Sequence, residues 1–301
     1  MRDVARDGDG HADETRRMTD MDDTRTRRVG TDGAAGAPRA AILVASFGTS
    51  FNDSRHVTIG AIEDTIRERF FPAFEVRRAF TSRLIINKLA RRDGVVIDGV
   101  TEAMRRAAAD GIRRLVVQPT HLMAGNEHAR LVRDVRASAG LFDAVSLGRP
   151  LLDDDADYAA VIDAIVGAMA RFDDGRTALC LMGHGTDAAA NAGYLRLQDA
   201  FVARGLTQYV VGTVEATPTF DDMVAAVVAG GYERAVVRPL MVVAGDHANV
   251  DMADETNPDS LAHKLRATGV DVTCVIEGLG QLVAIDELYA AHAAEAIARL
   301  A

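Results

Sequence analysis

At 301 residues, 48% hydrophobic and a net charge of −10, the chain can build one large or two modest domains. The acidic balance argues against nucleic acid and anionic membrane as partners, and no apolar stretch approaches the length of a membrane span. The N-terminus lacks an apolar secretory core, so a cytoplasmic location is expected.

Residues 1–36 alternate Asp and Arg with Gly and Thr and hold almost no large apolar side chain. Such a segment cannot bury enough surface to offset its ordering entropy, and a disordered tail is expected there. From Ala40 the pattern alternates between strand and helix. Strands are expected at Ile42–Phe47, Phe74–Phe80, Arg114–Gln118 and Ala144–Leu147. Helices are expected through Ile59, Ile62, Ile66 and Phe70, over Asp98–Asp110, and through Leu131, Val132 and Val135. The order then begins again. An amphipathic helix carries Tyr158, Val161, Ile162, Ile165, Val166, Met169 and Phe172. Strands follow near 177–182, 209–214, 235–243 and 272–276, with helices between them. Asn257-Pro258 reads as a cap and first position of one helix. The last helix, about 283–300, offers Leu288, Tyr289, His292 and Ile297 as an inner face. Cys180 and Cys274 sit in strand-like apolar runs without metal-ligand spacing, so both read as buried structural thiols.

This is a repeat of two βα halves. Phe47-Gly48-Thr49 matches His184-Gly185-Thr186 at an offset of 137, and Arg114–Pro119 matches Arg234–Pro239 at 120. Ala124–Glu127 matches Ala244–His247 at the same 120. Alternating βα units require right-handed crossovers and give parallel sheets. The expected architecture is therefore two α/β halves, residues 37–152 and 153–301, each a central parallel sheet flanked by helices, with a cleft between them.

Three strands of the second half end in polar residues, at His184, at Glu215 and at His247, where open α/β sheets bind ligands. Each alone has a plain structural reading, as a turn histidine, a helix cap or a surface residue. Delivered together, two imidazoles and a carboxylate suit a divalent borderline metal and leave coordination positions open. Their counterparts in the first half are Phe47, a position near Ala79, and Glu127, so the ligand set belongs to one half only. No Walker A or Rossmann glycine pattern occurs, which argues against ATP and NAD.

Five segments carry a resemblance: Val44–Ser50 (VASFGTS), Arg78–Ser82 (RAFTS), Met182–Gly185 (MGHG), Val214-Glu215, and Pro239–His247 (PLMVVAGDH) with Asp251-Met252. Together they resemble the anaerobic, class II sirohydrochlorin cobaltochelatases, from about Ala40 to the C-terminal helix. The resemblance implies two α/β domains related by a pseudo-twofold axis, with a tetrapyrrole between them. It implies metal ligands at His184, Glu215 and His247, with His184 and Glu215 acting also as proton acceptors. The implied reaction inserts Co²⁺, as substrate, into sirohydrochlorin or its oxidised precorrin-2 equivalent, releases two protons, and uses no ATP, within anaerobic cobalamin biosynthesis.

Phe47, Gly48, Thr49, Lys88, His121 and Met123 are candidate macrocycle contacts. Lys88, Arg78, Arg83 and Arg238 are candidate partners for the eight carboxylates of sirohydrochlorin. The chain departs from the family in its tail and at Arg83, where a small residue is expected. Iron or nickel insertion and a non-catalytic metal or tetrapyrrole carrier are the alternatives, a two-lobed small-ligand receptor is a more distant one, and a homo-oligomer is compatible with the chain.

Overall fold

The computed structural model describes residues 40–300, and the tail expected over 1–36 lies outside the described residues. Two four-stranded, all-parallel sheets organise the chain. The first is built from β1 (Ala40–Ser46), β2 (Glu75–Phe80), β3 (Arg114–Pro119) and β4 (Ala144–Leu147), in the order β2-β1-β3-β4. The second uses β5 (Thr177–Gly183), β6 (Tyr209–Thr213), β7 (Arg234–Pro239) and β8 (Asp271–Cys274), in the matching order β6-β5-β7-β8. The shared order makes the repeat structural as well as textual.

Helices cover both faces of each sheet, so the central strands β1 and β5 are buried almost throughout, and β3 and β7 are buried after their first residue. Successive residues of a strand serve different cores because side chains alternate across the sheet. Ile42 and Val44 of β1 join Leu179 and Leu181 of β5 in one core that runs through both halves. Ala41, Leu43 and Ala45 face a separate core in the first half, while Ala178, Cys180 and Met182 face one in the second. The shared core is completed by α6 (Asp155–Met169) and α10 (Val283–Ala298). The two sheets fall on either side of the division expected at 152 and 153, and α10 crosses it. This helix packs on α2 (Ala61–Phe70) and on β3, both in the first half. Its buried face is Ile285, Tyr289, His292 and Ala296, with Leu288 and Ile297 flanking it.

An ionic cluster adds to the shared core at the joint between the halves. Asp157 starts α6 in a capping box with Asp154, accepts from His292 Nε2 at 2.9 Å, and pairs with Arg149. Arg149 also reaches Glu295 of α10 at 2.9 Å.

Several expectations need correction. The helix α3 (Arg83–Asp93) has no counterpart in the sequence reading. Only Ile85 and Leu89 of it are buried, so its apolar stripe is too narrow to stand out among arginines. The strand expected over 235–243 stops at Pro239, where the chain leaves the sheet. Met241 and Val242 bond instead to the Leu279-Gly280 backbone. Asn257-Pro258 forms a turn, and the helix beyond it, α9 (Leu261–Ala267), is capped by Ser260, whose hydroxyl accepts from His263 N. Cys180 is buried, and burial pushes its thiol up to about 12, but Cys274 is only partly covered.

Candidate metal centre and cleft

The loops that leave β1, β3, β5, β6 and β7 at their carboxyl ends enclose a cavity of about 760 Å³ between the halves. Its size falls in the range of ligand pockets, ~300–1,000 Å³. Three of these loops bring His184, Glu215 and His247 together, with one ligand atom from each lying within 4.8 Å of the others. The imidazoles of His184 and His247 stand edge to face, centroids 4.6 Å apart. Glu215 Oε2 lies 3.6 Å from His184 Nδ1.

Backbone geometry explains how each side chain is presented. Gly185 adopts φ +87°, which only glycine accepts without strain, and turns the chain immediately after His184. A Cβ there would also meet the Ala216 backbone nitrogen at 2.8 Å, so the Glu215 loop packs directly on this turn. Gly185 N donates to the Tyr194 hydroxyl at 3.3 Å, and Glu215 N donates to His184 O at 2.9 Å. Glu215 is not a helix cap. The helix that follows it, α8 (Phe220–Ala229), is capped by Thr219 in a box with Asp222. His247 opens a helical turn, and Asp251 one turn later accepts from its Nδ1 at 2.7 Å.

The tautomers follow from these partners. A carbonyl oxygen can only accept, so His184 Nδ1, 2.8 Å from Gly185 O, carries its hydrogen. The Asp251 carboxylate imposes the same on His247. Both rings therefore keep a free lone pair on Nε2. A carboxylate behind an imidazole is the arrangement that fixes a metal-ligating histidine and raises its basicity. The donor set is thus two neutral imidazole nitrogens and one carboxylate, with no thiolate.

The rest of the cavity wall comes from both halves. Phe47, Gly48, Thr49, His121 and Met123 line it from the first half, and Met241, Val242 and Val243 from the second. Phe47 is 46% exposed and Leu84 is 73% exposed, so the cleft offers bare apolar surface. His121 is buried with both ring nitrogens unpartnered, and burial, reinforced by nearby His128, pulls it down to about 3. A histidine bonded to its own loop, the plain reading of this position, is therefore not what the structure contains.

The basic candidates fare differently. Among the described residues lining the cavity there is no Lys or Arg. Arg78 grips the buried Glu63 with two bonds, at 2.7 and 2.6 Å. Arg238 is buried under β7 beside Glu277 and the Gly278 carbonyl, where it serves the core. Arg83 is exposed on α3 outside the lining. Lys88 stands at the rim, 3.8 Å from Asp246, a lining residue.

Sequence reasoning missed Leu84, Asp251 as the partner of His247, and the unpartnered polar atoms of Glu127 and His128. The i, i+4 spacing of His247 and Asp251 was the available signal for one of them.

Residues 40–298 match the family described as cobalt chelatase (CbiK). The chain belongs to that family. It is 35% identical to the sirohydrochlorin cobaltochelatase of Salmonella typhimurium over 259 residues, 86% of this chain and 97% of the relative. It is 30% identical to sirohydrochlorin cobaltochelatase CbiKC of Nitratidesulfovibrio vulgaris, over 86% of this chain and 91% of the relative. The fold is similar to that of SirB from Bacillus subtilis with Fe³⁺, at a TM-score of 0.57 and 12% identity, covering 86% of this chain and 96% of that one. The match begins where the described residues begin. It includes both sheets and all three strand-end residues.

Proposed function

We propose that this protein inserts Co²⁺ into sirohydrochlorin, the activity for which the relatives from Salmonella typhimurium and Nitratidesulfovibrio vulgaris are named. The observation that carries the reading is the convergence of His184, Glu215 and His247 on one wall of a cavity large enough for an organic ligand. Co²⁺ is the substrate metal, held by the Nε2 atoms of His184 and His247 and by the Glu215 carboxylate. Three protein ligands leave positions open toward the cavity, as transfer requires. Without thiolate the site releases the ion readily, and imidazole with carboxylate suits cobalt, iron, nickel and zinc alike.

The macrocycle lies between the halves, its apolar face against Phe47, Leu84 and Met123. The lining contains no cation, so the peripheral carboxylates point out of the cleft, where Lys88 meets them. As pyrrole nitrogens replace protein ligands on the metal, His184 and Glu215 regain lone pairs and can take up protons. The reaction uses neither ATP nor NAD, and the protein works in the cytoplasm.

Sirohydrochlorin and Co²⁺ incubated with a trace of protein should show the absorption change of the metallated product at many equivalents per site. A change that stops at one equivalent would make the protein a carrier instead. Parallel runs with Fe²⁺ and Ni²⁺ rank the metals.

A further inference from the structure

The first-half wall of the cleft holds a second cluster that the metal triad does not use. His121 is 9% exposed, lines the cavity, and has neither ring nitrogen bonded. His128 stands edge to face with it, centroids 5.9 Å apart, and its buried Nε2 is also unpartnered. One carboxylate oxygen of Glu127 shares this condition. Buried polar atoms are nearly always bonded, so four exceptions on three neighbouring residues of one wall mark a place built for a polar group that arrives from outside.

The cluster is not loose. The His121 backbone carbonyl accepts from Leu151 N at 3.0 Å, and the Tyr289 hydroxyl bonds the preceding carbonyl, Thr120 O, at 3.0 Å. The ring is held in place while its nitrogens wait.

We infer that His121 is a catalytic residue of the chelation reaction, the acceptor of pyrrole protons on the side of the macrocycle away from the metal. This rests on the reading of the cleft as a tetrapyrrole chelatase. Metal insertion breaks two pyrrole N–H bonds, and each nitrogen keeps the electron pair that it then gives to the metal. While the ion sits on the triad, the lone pairs there are engaged and cannot take those protons. A neutral imidazole on the opposite wall can, because the macrocycle that gives up the proton is left anionic against the ring and offsets the cost that burial places on the imidazolium in the empty cleft. Proton transfer to His121 forms an N–H bond at its free ring nitrogen, and His128, edge to face behind it and only partly covered, offers the next acceptor toward solvent. The first proton leaves by this route while the ion still occupies the triad, the second goes to His184 or Glu215 as transfer frees their lone pairs, and no co-reactant is needed.

The test uses His121→Ala and His121→Gln in the full chain, with Co²⁺ alone as one probe and Co²⁺ with sirohydrochlorin as the other. Co²⁺ affinity without macrocycle should be unchanged, which also certifies the fold. The insertion kcat should fall by about 10²-fold or more in both variants, the scale of a lost general base. KM should change little, and added imidazole should restore part of kcat to His121→Ala but not to His121→Gln, whose side chain fills the space.

Three results overturn the inference: kcat close to the wild type in both variants, loss of Co²⁺ affinity, or a joint loss of kcat and macrocycle affinity that imidazole leaves untouched. The last would make His121 a contact only. A wild-type protein that turns nothing over would instead remove the chelatase reading itself, and this inference with it.

Discussion

The two halves share one sheet order and keep the same glycines and threonine along the cleft (Gly48-Thr49 with Gly185-Thr186, Gly125 with Gly245), yet differ at the side chains that could carry chemistry. Backbone bonds set the equivalences. Thr81 N donates to Ser46 O and Ser82 N to Phe47 O; Val214 N donates to Gly183 O and Glu215 N to His184 O. Glu215 therefore corresponds to Ser82, not to a position near Ala79 as the sequence offsets suggested. Phe47 stands opposite His184 in the repeat, Glu127 opposite His247, and His121 opposite Met241. The difference at Ser82 has a structural cause. Ser82 caps α3, and its hydroxyl accepts from Ile85 N at 3.4 Å, whereas Glu215 precedes a loop and is free of that duty. Phe80 bridges to Gly99 and Thr213 to Thr219, so the sequence offset drops from 133 to 120 across this region. The first half thus carries an insertion, and α3 is the insertion. A duplicated scaffold carries the His184, Glu215 and His247 wall in one copy and an apolar and histidine-bearing wall in the other.

The largest expected effect breaks that asymmetry at its centre. His184→Ala or His247→Ala should reduce Co²⁺ insertion by more than about 10²-fold, beyond the range seen for supporting residues. Both positions lie on the rim, so the melting temperature should stay within a few degrees of the wild type. Insertion assays and thermal melts read both outcomes, and near-normal turnover in both variants would sink the ligand assignment.

Next in size is Asp251. In the first half the equivalent position is Leu131, which is fully buried in the core. The second half gives up that apolar contact to hold His247 by its Nδ1. Asp251→Ala should weaken Co²⁺ affinity by roughly 10–100-fold, the usual cost of losing a partner behind a ligand. Titration with Co²⁺ measures this, and unchanged affinity would show that His247 is oriented by its helical turn alone.

The joint between the halves tests stability rather than chemistry. Burial alone would raise the Asp157 carboxyl, but bonds from His292, the Asp154 backbone and Arg149 outweigh it and hold the group below its ordinary value. A depressed carboxyl stabilises the fold above the ordinary range near ~3.9, and the contribution fades as pH falls through the folded value. Asp157→Ala should cost about 3 kcal/mol at neutral pH, since His292 and Arg149 lose a buried partner. The cost should shrink in acid.

His121 gives a second, separate dependence of the same sign. Burial holds it down to about 3, so below ~6.5 the unfolded chain takes up a proton that the folded protein refuses. Stability should fall as pH drops from ~6.5 toward 4, and His121→Gln should flatten that limb without touching the one due to Asp157. Urea titrations across pH resolve the two.

Most of the architecture was legible because its signals are local. Apolar runs bounded by glycine marked the strands, and the offsets of 137 and 120 marked the repeat. The same pair of offsets held the missed helix in plain sight, since a shift between them requires an insertion between Thr49 and Arg114. The triad was legible for a related reason: His184 directly follows β5, Glu215 comes just after β6, and His247, though a loop away from the end of β7, follows the turn marked by Gly245. What could not be read was set by packing over long separations. Arg238 looks like a rim cation in sequence because Pro239 follows it, yet its position in the β7 register points it into the core. Arg78 looks free until the helix carrying Glu63 is laid against β2. The open nitrogens of His121 follow from what does not approach them, which no spacing encodes.

The smallest effect concerns the rim, where the asymmetry between halves is weakest. Asn126 and Asp246 are equivalent, and each reaches across the mouth. Asn126 Nδ2 donates to Asp187 Oδ1 at 2.6 Å, while Asp246 lies 3.8 Å from Lys88 Nζ. Lys88 and Asp246 are both well exposed, so their attraction is screened by water and salt and should contribute little to stability. Lys88→Ala should leave the melting temperature unchanged. If Lys88 meets carboxylates of the substrate at the mouth, its loss should raise KM by a few-fold at low ionic strength, and the difference should vanish in salt as the Debye length falls to ~3 Å at 1 M. Asn126→Ala, at the equivalent place but without charge, should show no such salt dependence. A salt-dependent KM in both variants, or in neither, would mean that the rim does not distinguish the two halves. The asymmetry would then be confined to the walls of the cleft.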